Sequence, residues 1–143
     1  MRCEDSGICS GSEMFVDTPS DLARDMLYYI TSVGRFFTDY GYRIERTDYH
    51  NYMLFYILNG RLSVTSEGRT LAEAGQVGFL NCHTPHEYHT IGNTEFLWLH
   101  LDGGNTEKFY HHIMKLYGGF VFSHSCADEI CNRIDRLFCS YQT

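Results

Sequence analysis

The run Tyr52-Met53-Leu54-Phe55-Tyr56-Ile57-Leu58 is apolar on both faces and stops at Asn59-Gly60. No other segment constrains the fold as strongly. It is far shorter than the roughly 20 residues a membrane span needs, so protein must cover both of its sides. Asn-Gly is a strong two-residue hairpin signal, and Arg61-Leu62-Ser63-Val64-Thr65-Ser66 beyond it alternates with Leu62 and Val64 on one face. The pattern predicts a hairpin at 59–60. A second turn at Glu67-Gly68 leads to Thr70 and Leu71, and Gly75 precedes Val77-Gly78-Phe79-Leu80. His86 to Ile91, Glu95 to Leu101 and, upstream, Tyr28 to Val33 also have strand character, the last following a short helical turn begun at Thr18-Pro19-Ser20-Asp21. Closely spaced short strands punctuated by glycine predict a mainly β sandwich or barrel.

The final third changes period. Asn105 and Thr106 are placed to cap a helix whose Phe109, Tyr110, Ile113, Met114 and Tyr117 share a stripe, with Gly118-Gly119 ending it. Ser125 with Asp128 resembles a capping box, and Ile130, Ile134, Leu137, Phe138 and Tyr141 form a second stripe. Such a stripe packs on the barrel, meets a second subunit, or does both; Ile130, Ile134, Leu137 and Phe138 are the expected dimerisation residues. Residues 1–13 have no period and read as a flexible arm. The expected division is an arm over 1–13, a barrel over 14–103 and two C-terminal α-helices over 104–143.

Charge excludes one class of partner for this piece alone. Eleven Lys and Arg stand against 18 Asp and Glu, a formal charge of -7, which repels phosphate backbones. The six cysteines lack the paired spacing of structural zinc sites, and Glu4 and Asp5 stand where a signal peptide would be apolar. Reduced thiols and a cytoplasmic location are expected, with no membrane partner. Phosphate-binding glycine loops and the hydrolase nucleophile motif do not occur.

Alternation in Glu95–Leu101 puts Phe96, Trp98 and His100 on one face and Leu97, Leu99 and Leu101 on the other. The first face carries an indole and an imidazole, which need polar partners when buried and suit a small-molecule pocket. Cys82, beside His83 and His86, reads as a packed thiol rather than a nucleophile, because no basic cluster flanks it.

Several segments together resemble the amino-terminal domain of AraC-type transcription regulators. They are Arg46 ahead of the Tyr52–Gly60 run, the Gly68 turn, Ala74-Gly75-Gln76-Val77-Gly78-Phe79-Leu80, Asn81-Cys82-His83-Thr84-Pro85-His86-Glu87-Tyr88 and Glu95–Gly103. The resemblance implies a cupin-like β-barrel, of the double-stranded β-helix or jelly-roll type, with an effector pocket inside. It assigns Arg46, Tyr88, Phe96 and Trp98 to that pocket, with Thr31 from the amino-terminal segment, and the alternation adds His100. It further implies a homodimer, no catalysis, no cofactor, and DNA contact only through a helix-turn-helix domain absent from this chain; the indole of Trp98 with Arg46 and Tyr88 suits a sugar as the effector.

Metal-dependent cupins take two His and a Glu from one motif and one His from a second. Here His86 stands at the second-motif position and His50 near one of the first, while Asp48 and Leu54 fall where the other donors would be. The set is incomplete, so no metal is expected; His50 and His86 are the candidate ligands. The alternative from another class is a small metal-dependent cupin enzyme, an isomerase or dioxygenase.

Overall fold

Both faces of Tyr52–Leu58 are covered because the segment is the centre of a sheet that has a core on each side. The computed structural model describes residues 6–142. Along them run β1 (Glu13–Val16), α1 (Asp21–Met26), β2 (Tyr28–Thr38), β3 (Arg43–Arg46), β4 (Tyr52–Thr65), β5 (Arg69–Glu73), β6 (Val77–Asn81), β7 (His86–Gly103), α2 (Thr106–Tyr117), β8 (Val121–Phe122) and α3 (Ala127–Tyr141).

Two long strands organise this order. The second half of β7 and the first half of β4 sit at the centre of an antiparallel layer β1-β2-β7-β4-β6-β8. Their other halves pair again, Arg61–Thr65 with Glu87–Ile91, and there β3 flanks β7 and β5 flanks β4. Met53, Phe55, Ile57, Leu62, Val64, Tyr88, Phe96 and Trp98 fill the space enclosed by the two halves. Tyr56, Leu97, Leu99 and Val33 form a second core on the outer face, closed by α3.

The hairpin expected at 59–60 is not there. β4 runs straight through Asn59-Gly60, with register shifts against β7 between Ile57 and Asn59 and between Asn59 and Arg61. Gly60 has φ 84°, and a Cβ on it would stand 2.4 Å from the Asn93 carbonyl oxygen. A hairpin turn and a glycine bulge ask for the same positive φ. Pairing with β7 on both sides of the irregularity makes the strand bend between the two halves instead of reversing. For the same reason the two segments expected at 86–91 and 95–101 are one strand, bent at Gly92 with φ 71°.

The arm expected over 1–13 lies partly outside the described residues, and its described part is docked. Ile8 bridges Thr38, Cys9 N–H donates to the Phe37 carbonyl at 2.7 Å, and Ser12 Oγ accepts from Phe37 N–H at 2.8 Å. Helix α1 starts as expected, with Ser20 Oγ accepting from Ala23 N–H.

The C-terminal helices also differ in detail from expectation. Gly118 ends α2 in the left-handed conformation, but Phe109 is exposed beside the Tyr28 ring and leaves the buried stripe. Helix α3 has no Ser125 capping box; Cys126 precedes it, and its N–H is taken by His124 Nδ1 at 2.9 Å. Of the residues expected to dimerise, Ile134 and Phe138 are only 3% and 4% exposed, and Ile130 and Leu137 pack on the same outer core. Phe15 of β1 lies 5.6 Å from Phe138, ring to ring. The stripe therefore already seals this chain's own sheet.

Candidate ligand-binding site

Strand β3 pairs with the start of β7 so that Arg46 faces His86 and Ile44 faces Tyr88 across the ladder. Paired positions share a sheet face, and residues two apart along a strand share it again. All four side chains therefore lie on one side. From the other half of β7, Trp98 and His100 project into the same interior, opposite Phe55 and Met53 of β4.

A chamber of about 80 Å³ remains between them, lined by Met14, Phe36, Tyr42, Ile44, Arg46, Tyr49, Met53, Tyr88, Trp98 and His100. Four of the residues singled out from sequence, Arg46, Tyr88, Trp98 and His100, come together here. Phe96 does not line it; fully buried, it packs 6.0 Å from both Phe36 and Tyr42, behind the wall. Thr31 also lies outside, on a surface pocket with Tyr49, His50 and Asn51. Its hydroxyl accepts from Asn51 Nδ2 at 3.4 Å, which leaves Asn51 Oδ1 to accept from His100 Nδ1 at 2.8 Å. Thr31 thus touches the chamber indirectly, through Asn51 and through its own hydroxyl on the His100 carbonyl at 3.5 Å.

Arg46 is held without an ion pair among the described residues. Its guanidinium stacks 3.8 Å over the Tyr49 ring, and Tyr49 meets His100 edge-on at 4.9 Å. Glu45, next to it in the chain, pairs instead with Arg43 at 3.7 Å. Burial, with Arg46 and His86 adding to it, pushes the His100 imidazole down to about 3, so this ring is neutral. Burial likewise lowers His86 and raises Tyr88, and it pushes the Cys82 thiol up to about 12, which makes it inert as a nucleophile.

Three buried polar atoms around this site have no partner: Arg46 Nη1, Trp98 Nε1 and His86 Nε2. A buried donor or acceptor left unsatisfied costs about 1–3 kcal/mol. Arg46 and Trp98 line the chamber, whereas Arg46 and His86 line a wider mouth of about 730 Å³ with Glu45, Thr47, Asp48, Thr65, Ser66, Glu67, Pro85 and Glu87. Arg46 is common to both compartments. Apolar walls with a few convergent polar atoms are the general make-up of small-molecule pockets.

The metal candidates fare differently. His50 projects into solvent and joins Asp48 and His83, whose ligand atoms lie within 4.8 Å of one another; His86, buried, is not in that group. His83 Nε2 is 2.8 Å from Asp102 Oδ2, a carboxylate placed to orient the ring. His83 was not expected from the sequence, since no fixed spacing links it to Asp48 and His50.

Residues 29–141 match the family described as AraC-like ligand binding domain, and the chain belongs to that family. No curated protein sequence matches it. Among solved structures it is similar to YhaK from Escherichia coli, with a TM-score of 0.56 and 19% identity over 66% of this chain and 45% of that one. It is also similar to an HTH_3 family transcriptional regulator from Vibrio cholerae, with a TM-score of 0.50 and 9% identity over 65% of this chain and 52% of that one. A cupin superfamily protein from Desulfitobacterium hafniense DCB-2 gives 0.49 and 16% identity over 72% of this chain and 84% of that one. At these identities the likeness is one of fold alone; this chain's own fold is a mainly β, antiparallel barrel followed by two C-terminal helices. The chain spans about half the length, or less, of the first two of these structures. Among the described residues no helix is long and apolar enough to cross a membrane.

Proposed function

We propose that the chain is the effector-sensing part of an AraC-type transcription regulator, and that a small polar metabolite of the sugar class binds in the barrel at Arg46 and Trp98. The observation that carries this reading is the set of unpartnered polar atoms, Arg46 Nη1, Trp98 Nε1 and His86 Nε2, around one chamber and its mouth. Tyr88 and His100 complete the polar lining, and the indole offers a face for ring C–H groups.

Size adds a condition. A cavity of roughly 150 Å³ is what holds benzene, so a chamber of about 80 Å³ does not enclose a sugar ring as it stands. The ring must reach into the mouth or displace a wall. Met14 is the wall residue contributed by β1, a four-residue edge strand whose one strand partner is β2 and whose Phe15 packs on α3. Effector binding that moves Met14 therefore shifts the amino-terminal segment, and the signal is a population shift between two placements of it. In a homodimer this shift would govern DNA binding by a helix-turn-helix domain outside the chain. The test is tryptophan fluorescence: Trp98 is the only tryptophan, so a bound sugar changes its emission, and Arg46→Ala abolishes the change at the same ligand concentration.

One observation favours a second reading, a metal-dependent cupin enzyme, namely the Asp48, His50 and His83 group. Asp48 and His50 of that group are exposed and His83 is half-buried, and none of the unpartnered interior atoms belongs to it. Elemental analysis after a mild chelator wash separates the two readings. Stoichiometric iron, manganese, nickel or zinc, lost in His83→Ala, supports the enzyme.

A further inference from the structure

Among the described residues the Arg46 guanidinium has no counter-ion. Glu45 and Glu87 border the mouth, but they face each other across the β3–β7 ladder at positions that alternate with the Arg46–His86 and Ile44–Tyr88 pairs. They therefore belong to the opposite face of the sheet, where Arg43 reaches them at 3.7 and 3.6 Å and His89 Nδ1 lies 2.6 Å from Glu87. Asp48 is exposed with His50 3.3 Å away, and Glu67 sits exposed in the turn after β4. Of the charges acting on the buried His86, Arg46 is the strongest and Asp48 weaker, and Arg46 also helps hold His100 neutral. The field inside the barrel is positive.

Arg46 is the one charged residue among those that line the chamber, and its Nη1 is buried without a partner. Strand β7 adds Trp98 Nε1, a second buried donor without a partner, in a residue 5% exposed. Neither group can accept a hydrogen bond, so what enters must present acceptors. A buried charge is ordinarily paired, and the planar fork of a guanidinium matches a carboxylate. Size agrees with this. The chamber of about 80 Å³ has the space of two to three waters at roughly 30 Å³ each, which suits a carboxylate and is too little for a ring. The rest of such a ligand then occupies the mouth of about 730 Å³. There His86, opposite Arg46 in the ladder, has Nδ1 2.8 Å from the Thr84 carbonyl oxygen, so Nδ1 carries the hydrogen and the unpartnered Nε2 is left to accept from a hydroxyl.

We infer that the effector is a sugar acid, a uronate or an aldonate, which enters carboxylate first: the carboxylate lies in the chamber on Arg46 and Trp98, and the hydroxylated remainder lies in the mouth beside His86. This inference rests on the sugar reading of the barrel and adds to it the charged group and the direction of entry. It also meets the size condition, because the ring or chain stays in the wider compartment.

The experiment uses the purified chain and matched sets of ligands: glucuronate with glucuronamide and glucose, galacturonate with galacturonamide and galactose, and gluconate with gluconamide and glucitol. Trp98 emission and calorimetry give the affinities. In at least one set the acid binds tenfold or more tightly than its amide, which keeps the shape and removes the charge without altering the protein, and than the neutral sugar. In Arg46→Gln, which keeps a donor and removes the charge, the advantage of the acid over the amide falls to threefold or less, with the fold checked by circular dichroism. Binding of the neutral members with no advantage for the acid in any set, or an acid preference that survives Arg46→Gln, overturns the carboxylate inference and leaves the sugar reading standing. If no member of any set perturbs Trp98 or releases heat, the sugar reading falls with it.

Discussion

Gly34 and Trp98 are paired across β2 and β7, and the indole lies over the space a side chain at Gly34 would occupy: a Cβ there would stand 2.5 Å from Trp98 Cζ2. The glycine is what lets the ring lie where it lines the chamber. Phe36 holds it edge to face at 5.1 Å and His100 at 5.4 Å.

Gly34→Ala therefore forces the indole toward Arg46 and fills the chamber. Overpacking of this kind costs about 1–3 kcal/mol of stability. The expected result is a folded domain with shifted Trp98 emission and ligand affinity reduced at least tenfold. Unchanged emission and affinity would show that the ring is free to move and that the chamber is not set by this pair.

Helix α3 is the seal of the outer core, so Phe138→Ala should cost about 3–5 kcal/mol, as removal of a buried phenyl does. Urea unfolding read by circular dichroism measures it. The loss should be the same at low and high protein concentration. A loss seen only at concentrations where the chain self-associates would return Phe138 to an interface between subunits.

Acid should destabilise the domain through His100. Its folded pKa lies near 3, below the ordinary value of 6.5, so the unfolded chain takes up a proton that the folded one refuses. The full stability is present above pH 6.5 and falls as pH drops toward 3, by up to about 1.4 kcal/mol per pH unit for one such group. His86, shifted in the same direction, adds to the slope. In His100→Gln the stability profile between pH 6.5 and 4 should be visibly flatter than in the wild type. An identical slope would mean that His100 is not held neutral by the fold.

Among the thiols, Cys82 is fully buried with its pKa near 12, whereas Cys126 and Cys139 are exposed. Alkylation at pH 8 followed by peptide mapping should modify Cys126 and Cys139 and spare Cys82 until denaturant is added. Rapid labelling of native Cys82 would contradict the packing of β6 against the barrel interior.

The barrel was legible because its central strands announce two covered faces. Tyr52–Leu58 is apolar on both sides since one faces the interior and the other faces α3, and the alternation in Glu95–Leu101 separates Trp98 from Leu97 as the structure does. Local signals failed where the answer is long-range. Asn59-Gly60 offers the positive φ of a turn, and only pairing with β7 on both sides makes it a bend. The chamber was partly legible: Arg46, Tyr88, Trp98 and His100 line it, whereas Phe96 and Thr31 stand behind its wall. Met14, Tyr42 and Tyr49 were missed because they come from a short edge strand and from turns that carry no periodic pattern.

The central claim is that a small polar effector is bound inside the barrel through Arg46. The most direct measurement is the dissociation constant of such an effector, found by screening polar metabolites on Trp98 emission, in the wild type and in folded Arg46→Ala. A charge-assisted hydrogen bond contributes about 1.5–3 kcal/mol, so the account predicts an affinity loss of roughly ten- to a hundredfold. An effector that binds the Arg46→Ala variant as tightly as the wild type would place the binding site elsewhere and contradict the account.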